Sequence, residues 1–290
     1  MGLLLFLLHS GVWAQTEQVI TSSPGQDRHP WWSPDGSQLV FESDRDGDWE
    51  LFITNRDGTS ERQITHNSAN DRNPSWHPNG TGLLFESDRS GKTKLYHLDL
   101  TSGNVEEIKL DGFGLSPTTA RYSPEGQQIV FCANTGAENE LQLNLFLVPA
   151  QGGKPQQLTA GNRRSFYPSW SANGDQLVFH SRRDTQGKQD EIYIMDVSKG
   201  DESSQRITTY PLHDFCPHWS PDGQWLVFSS SIKEARPDLF ISKTDGTATR
   251  QLTFTPTLGE TQAVWSPDGK TIAFAGFRKG SYEICLINID

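Results

Sequence analysis

The sequence predicts an all-β chain folded as a six-bladed β-propeller, with four antiparallel strands in each blade. Three observations carry this. An aromatic residue followed by a Pro/Gly-type turn recurs six times, a Phe stands nine residues after each of those aromatics, and the last unit lacks a fourth strand that a fragment near the N-terminus can supply.

The six turns are Trp32-Ser33-Pro34-Asp35-Gly36, Trp76-His77-Pro78-Asn79-Gly80, Tyr122-Ser123-Pro124-Glu125-Gly126, Trp170-Ser171-Ala172-Asn173-Gly174, Trp219-Ser220-Pro221-Asp222-Gly223 and Trp265-Ser266-Pro267-Asp268-Gly269. Their aromatics lie 44, 46, 48, 49 and 46 residues apart, a period characteristic of propeller blades. Ser opens a type I turn, Pro presets φ at the second position, and Gly closes it. The following residues Phe41, Phe85, Phe131, Phe179, Phe228 and Phe274 sit in alternating apolar runs such as Leu39-Val40-Phe41. Each turn therefore joins two strands, a and b, of a hairpin.

A third run supplies strand c: Leu51-Phe52-Ile53, Leu95-Tyr96-His97-Leu98, Leu145-Phe146-Leu147-Val148, Ile192-Tyr193-Ile194-Met195, Leu239-Phe240-Ile241 and Ile284-Cys285-Leu286-Ile287. Short fourth runs, Gln63-Ile64-Thr65, Gln157-Leu158-Thr159, Arg206-Ile207-Thr208 and Gln251-Leu252-Thr253, supply strand d, with Glu107-Ile108-Lys109 as the weak copy. The sixth unit stops after its third strand. Gln18-Val19-Ile20-Thr21 matches the missing one, and Thr21 precedes Trp32 by the same 11 residues that separate Thr65 from Trp76. The N-terminal strand is thus expected to complete the last blade, which closes the ring and removes an open sheet edge.

The length of 290 residues would allow a second domain, but the repeats absorb residues 18–290. Hydrophobic residues (34%) and 26 glycines bring the apolar share just under the usual globular range, which argues against disorder. With 25 basic and 36 acidic residues the net charge is −11 and no dense basic patch stands out, so nucleic acid is excluded as the expected partner. Three scattered cysteines, Cys132, Cys216 and Cys285, make no disulfide framework.

Leu3 to Leu8 is an apolar run too short to span a bilayer, and Val12-Trp13-Ala14 ends it with a small residue. Although a basic leading segment is missing, this reads as a secretory signal over residues 1–14. The expected mature chain is one soluble, monomeric propeller over 15–290, periplasmic or secreted.

Variable loops on a rigid scaffold are where binding usually lives. The a–b turns are uniform, whereas the b–c connections vary: the gap from the strand b Phe to its strand c counterpart is 11, 11, 15, 14, 12 and 11. The d–a connections share the b–c face, and the residues entering strand a sit there near the channel. Asp27, Arg28, His29, Asp71, Arg72, Tyr167, Asp214 and Glu260 are therefore the candidate binding residues, polar and aromatic groups suited to a peptide or glycan. Trp49, in a b–c loop, could stack on a sugar or anchor a partner. Asp44, Asp46, Asp48 and Glu50 alternate like calcium ligands, but Gly47 is misplaced for a helix-flanked loop and Arg45 intrudes. Cys216 and His218 share a face of an extended strand and could share a metal, yet the equivalent positions elsewhere are ordinary channel-lining residues. No Gly-x-Ser-x-Gly elbow is present. No metal, cofactor or catalytic residue is expected.

The repeated [Trp/Tyr]-Ser-Pro-Asp-Gly turns, with Ser43-Asp44-Arg45-Asp46-Gly47 and Ser87-Asp88-Arg89-Ser90-Gly91, resemble the TolB-like propeller repeat over residues 18–290. The namesake of that family is a periplasmic component of the Tol–Pal envelope system whose propeller binds the peptidoglycan-associated lipoprotein. It also carries an N-terminal α/β domain, which this sequence does not supply. The resemblance implies a non-catalytic binding scaffold of the cell envelope with a protein or peptide partner. Propellers with similar repeats also occur in lyases and beside peptidase domains. A glycan-binding or glycan-cleaving propeller, with Asp27, Asp71, Asp214 and Glu260 as its carboxylates, and an accessory module for a separate peptidase are the alternatives.

Overall fold

The computed structural model describes residues 17–290 except 138–139, 162, 186–188, 210–211, 232–235, 256–258 and 290. The expected signal segment lies outside the described residues. Six four-stranded antiparallel sheets form the blades. Blade 1 comprises Asp27–Trp32, Gln38–Ser43, Glu50–Asn55 and Arg62–Gln63. Blades 2 to 5 begin with Asp71–Trp76, Pro117–Tyr122, Phe166–Trp170 and His213–Trp219. Blade 6 holds Glu260–Trp265, Thr271–Arg278, Ser281–Asn288 and, as its outer strand, Glu17–Val19. One 3-10 turn, Gly200–Ser203, is the helical element among the described residues.

The repeat Phe residues stand directly opposite the strand c residues that the spacing paired with them, from Phe41 with Phe52 to Phe274 with Cys285. All six are buried between neighbouring blades. In every turn the Gly amide donates to the carbonyl three residues back, as in Gly36 to Ser33 at 2.9 Å. Each Gly has positive φ, 69–76°, the left-handed region that favours glycine. The turns also lock blade to blade: a Cβ on Gly36 would meet Pro267, and one on Gly269 would meet Pro221. Blade 4 has Ala172 in place of Pro, and nothing lies within 4 Å of that point at Gly223 in the next blade.

The Thr that ends strand d is explained by its hydroxyl. Thr65, Thr159, Thr208, Thr253 and Thr21 each accept the strand c amide of Leu51, Leu145, Ile192, Leu239 and Ile284, at 2.9–3.0 Å. Lys109 in blade 2 has no such hydroxyl. At the seam, Glu17, Gln18 and Val19 pair with Ile287, Leu286 and Cys285. Ile20 donates to Ile284 O at 2.7 Å, and Arg278 grips the Glu17 carboxylate through two nitrogens at 2.8 and 2.6 Å.

The Ser-Asp-Arg segments are structural. Arg45 reaches Asp27 at 3.0 Å and Arg89 reaches Asp71 at 2.7 Å. Arg183 donates to Ser165 at 3.1 Å, and Arg278 reaches Glu260 at 2.9 Å. The partners are 18 residues apart in all four blades. Three of these guanidinium groups also lie over the paired core rings, for example Arg45 at 4.2 Å from the Phe52 centroid and Arg183 at 4.9 Å from that of Tyr193. Arg45, Arg89 and Arg183 therefore cover the end of a blade core, and Arg45, Arg89 and Arg278 neutralise the acid entering strand a.

Candidate functional site

The innermost strands are not regular. Each carries a register shift at the same place, and the residue there has positive φ: His29, Asn73, Thr119, Tyr167, Cys216 and Gln262, all between 50° and 59°. Left-handed backbone is uncommon outside glycine and costs most at β-branched Thr119. In four blades the next residue is Pro: Pro30, Pro74, Pro168 and Pro217. Proline inside a strand is confined to edges and bulges, so these four prolines are the signal in the sequence that marks the bulges.

The amides freed by the bulges are capped from the neighbouring blade. Asn73 N donates to Glu42 Oε2 at 2.6 Å, Thr119 N to Glu86 Oε1, and Cys216 N to His180 Nδ1 at 3.4 Å. Glu42, Glu86 and His180 each follow the repeat Phe. In blade 6 that position is Ala275, and the His29 amide is taken by Gln262 Oε1 at 3.0 Å.

These residues divide the channel. Tyr167 from blade 4 meets His29 Nε2 of blade 1 across the axis. Gln262 Nε2 lies 2.8 Å from the same nitrogen and 3.4 Å from the Tyr167 oxygen. His29 Nδ1 faces Glu42 Oε1 at 2.9 Å. Above this bridge opens a cup of about 440 Å3, lined by His29, Trp49, Arg72, Asn73, Glu86 and Tyr167 among others. Below it a space of about 30 Å3 is bounded by Arg121, Cys216 and His218. A funnel of about 250 Å3 lined by the repeat Trp and Pro residues opens on the turn face.

Three of the eight expected site residues, His29, Arg72 and Tyr167, meet at the cup. Arg28 is held beside it, its guanidinium 4.5 Å from the Tyr282 ring and 5.9 Å from that of Trp49. The Arg72 guanidinium lies 4.6 Å from the Trp49 ring centroid, so both arginines stand close to Trp49 at the rim. The four acids behave differently. Asp27, Asp71, Asp214 and Glu260 are fully buried, and none lines the cup or the space below it. Asp27, Asp71 and Glu260 are held in the arginine pairs described above. The expectation that they encircle the channel mouth is corrected: the 18-residue pairing turns these three into blade-end ion pairs. Burial pushes the Asp214 carboxyl above its ordinary range.

Two further acids, Glu42 and Glu86, belong to the site, and nothing in the strand pattern marks them. Burial opposes ionisation of Glu42, but His29, Arg72 and the Asn73 amide outweigh it and hold the carboxyl at about 2. Glu86 is pushed to about 7 by burial and by the nearby Glu42 charge, against hydrogen bonds from Asn73, Thr118 and the Thr119 amide. Burial also raises the Tyr167 phenol well above its ordinary range and the Cys216 thiol to about 12. It lowers His180 to about 4 and, with Arg121, His218 to about 3. Among the described residues no group of three or more His, Cys, Asp or Glu is arranged to hold a metal ion, and no helix is long and apolar enough to cross a membrane.

Glu86 gives a pH-dependent prediction. Its folded pKa exceeds the unfolded value, so folding binds a proton between about pH 4.5 and 7. The stabilising contribution is present below that window and is lost as pH rises through about 7. Glu86→Gln should therefore stabilise the protein at pH 8 by up to about 3 kcal/mol and change little at about pH 4. Urea unfolding at both pH values measures this; equal effects at the two would contradict the assignment.

The profile of the TolB beta propeller domain matches residues 8–188 and 165–290. The chain belongs to that family. No curated protein matches the sequence. Solved structures that resemble this TolB-type propeller include a protein given the TolB name from Agrobacterium tumefaciens, with 22% identity, TM-score 0.73 and 94% of each chain covered. TolB from Acinetobacter baumannii has 17% identity and TM-score 0.64, covering 94% of this chain and 65% of that one. An oligogalacturonate lyase in complex with manganese has 14% identity and TM-score 0.65, covering 95% and 93%. The propeller fold is thus shared by TolB and by a lyase, and function must be argued from the site.

Proposed function

We propose that this TolB-type propeller is a non-catalytic, extracytoplasmic binding protein of the cell envelope that takes a protein or peptide partner on its cup face. The observation that carries the reading is where apolar surface is exposed. Of the four large apolar residues exposed among the described residues, Leu115, Leu141 and Phe254 lie in d–a or b–c loops of this face, while Val19 lies at the seam. Apolar groups around a polar cup, with Trp49 and its two arginines at the rim, have the composition of a partner-binding surface. Tyr167 and Cys216 are both held protonated, which makes neither a ready nucleophile.

Pull-down of the mature protein from an envelope extract, followed by mass spectrometry, tests this. Arg72→Ala and Trp49→Ala should each weaken partner binding by about 2 kcal/mol with little change in melting, and Tyr167→Ala should weaken it as well. Asp35→Ala and Asp222→Ala, on the turn face, should leave it unchanged. Loss confined to the turn-face variants would move the binding surface to the opposite side.

One observation favours a glycan-cleaving alternative. Glu42 and Glu86, joined through Asn73, have their pKa values pushed apart, as an acid and base pair requires. Glu42, however, is fully buried and already engaged by His29, Arg72 and the Asn73 amide. Turnover of a polyuronate or other glycan, abolished by Glu86→Gln, would replace the binding reading.

A further inference from the structure

The cup floor carries polar atoms that the fold does not use. Asn73 and Thr119 are 8% and 2% exposed, both line the cup, and neither Asn73 Oδ1 nor Thr119 Oγ1 has a hydrogen-bond partner. The Asn73 amide is oriented by its other end, since Nδ2 donates to Glu86 Oε2 at 3.0 Å. Oδ1 is left as a bare acceptor. Glu86 stands between the two residues, 5% exposed, and no Lys, Arg or His among the described residues is within ion-pair distance of it. Adjacent Glu42, by contrast, has both His29 and Arg72.

The other charged groups around Glu86 are already engaged. Arg72 at the rim contacts Glu42 at 3.3 Å, and Asp88 accepts from Asn70. Arg121 lies beneath the floor, bonded to the carbonyls of Ala120 and Asn73 and placed 4.4 Å from the Trp31 ring. His29 faces Glu42 and Tyr167. A carboxylate, an amide oxygen and a hydroxyl on one floor are three acceptors. They suit a compact cation with three N–H donors. A planar guanidinium fits less well, because both Glu86 oxygens already accept hydrogen bonds, from Asn73 and from the Thr119 amide.

We propose that Glu86, Asn73 and Thr119 bind a primary ammonium group, supplied by the N-terminal amine or a lysine side chain of the partner. This rests on the cup being the partner site and names what the partner brings to it. Binding favours ionised Glu86, so it is accompanied by proton release and tightens as pH rises toward and past 7.

Three probes separate the sources: triglycinamide, with an α-amine alone; Nα-acetyl-lysinamide, with an ε-ammonium alone; and Nα-acetyl-triglycinamide, with neither. At about 20 mM and near pH 7.5, one or both of the first two should raise the melting temperature by about 2 °C or more, and the third should not. Affinity should fall more than about tenfold near pH 5.5. Glu86→Gln, which is expected to fold, and Thr119→Val, which keeps side-chain volume, should each abolish the shift. An equal shift from the acetylated control, no shift from either amine, or a shift retained in Glu86→Gln would overturn the site. Capture of the same partner by the wild type and Glu86→Gln would keep the binding role while removing the ammonium site. Ammonium binding with no partner captured would keep the site while removing the partner reading.

Discussion

Deletion of the chain through Thr21 lowers stability by at least about 3 kcal/mol and the melting temperature by roughly 5–10 °C, relative to a protein that begins at Gln15. The loss has three sources. Ile20 leaves a core cluster that includes Phe41, Ile284 and Leu286. The Ile284 amide loses the Thr21 hydroxyl, and Arg278 loses Glu17. The exposed strand Ser281–Asn288 is eight residues long and largely apolar, so the shortened protein should also self-associate. Melting curves and light scattering of the two forms check both effects; coincident melting would remove the seam from the account of stability.

Phe179→Ala costs roughly 3–5 kcal/mol through lost transfer energy and the cavity left behind. Phe179 is fully buried in a cluster with Val130, Leu177, Tyr193 and Met195. Its ring also lies 5.0 Å from the Arg183 guanidinium, so truncation loosens the cover of that blade end. Phe166→Ala, at the cup, should cost well under half as much, since Phe166 is half-buried against the same cluster. Denaturant titrations of the two variants compare them directly. Equal costs would show that the core and channel faces of blade 4 had been interchanged.

The blades were legible because their signals are local or strictly periodic. The turn chemistry, the Phe nine residues on, and the Thr that ends strand d each recur with fixed spacing, and the ring closure followed from counting to Thr21. The channel was less legible because its geometry departs from strand alternation. The bulge at His29 and its five counterparts shifts the register, so alternation counted across it misplaces side chains. Glu42 and Glu86 read as part of apolar runs, although each adjoins the fully buried repeat Phe. Asp27 and Asp71 read as channel groups because their partners, Arg45 and Arg89, lie 18 residues away, just past the far end of the neighbouring strand b. The recurrence of that interval was present in the sequence; its meaning required the sheet register.

The repeated bulge separates what the channel presents from what holds the barrel of blades together. His, Asn, Thr, Tyr, Cys and Gln occupy six positions with nearly the same backbone conformation, and at least four of their amides are capped from an adjacent blade. Side-chain chemistry at the axis can therefore diverge position by position while the buried Phe layer is left untouched. The innermost strands act as a six-site display, in which specificity is rewritten by exchanging single residues at fixed addresses without rebuilding the scaffold.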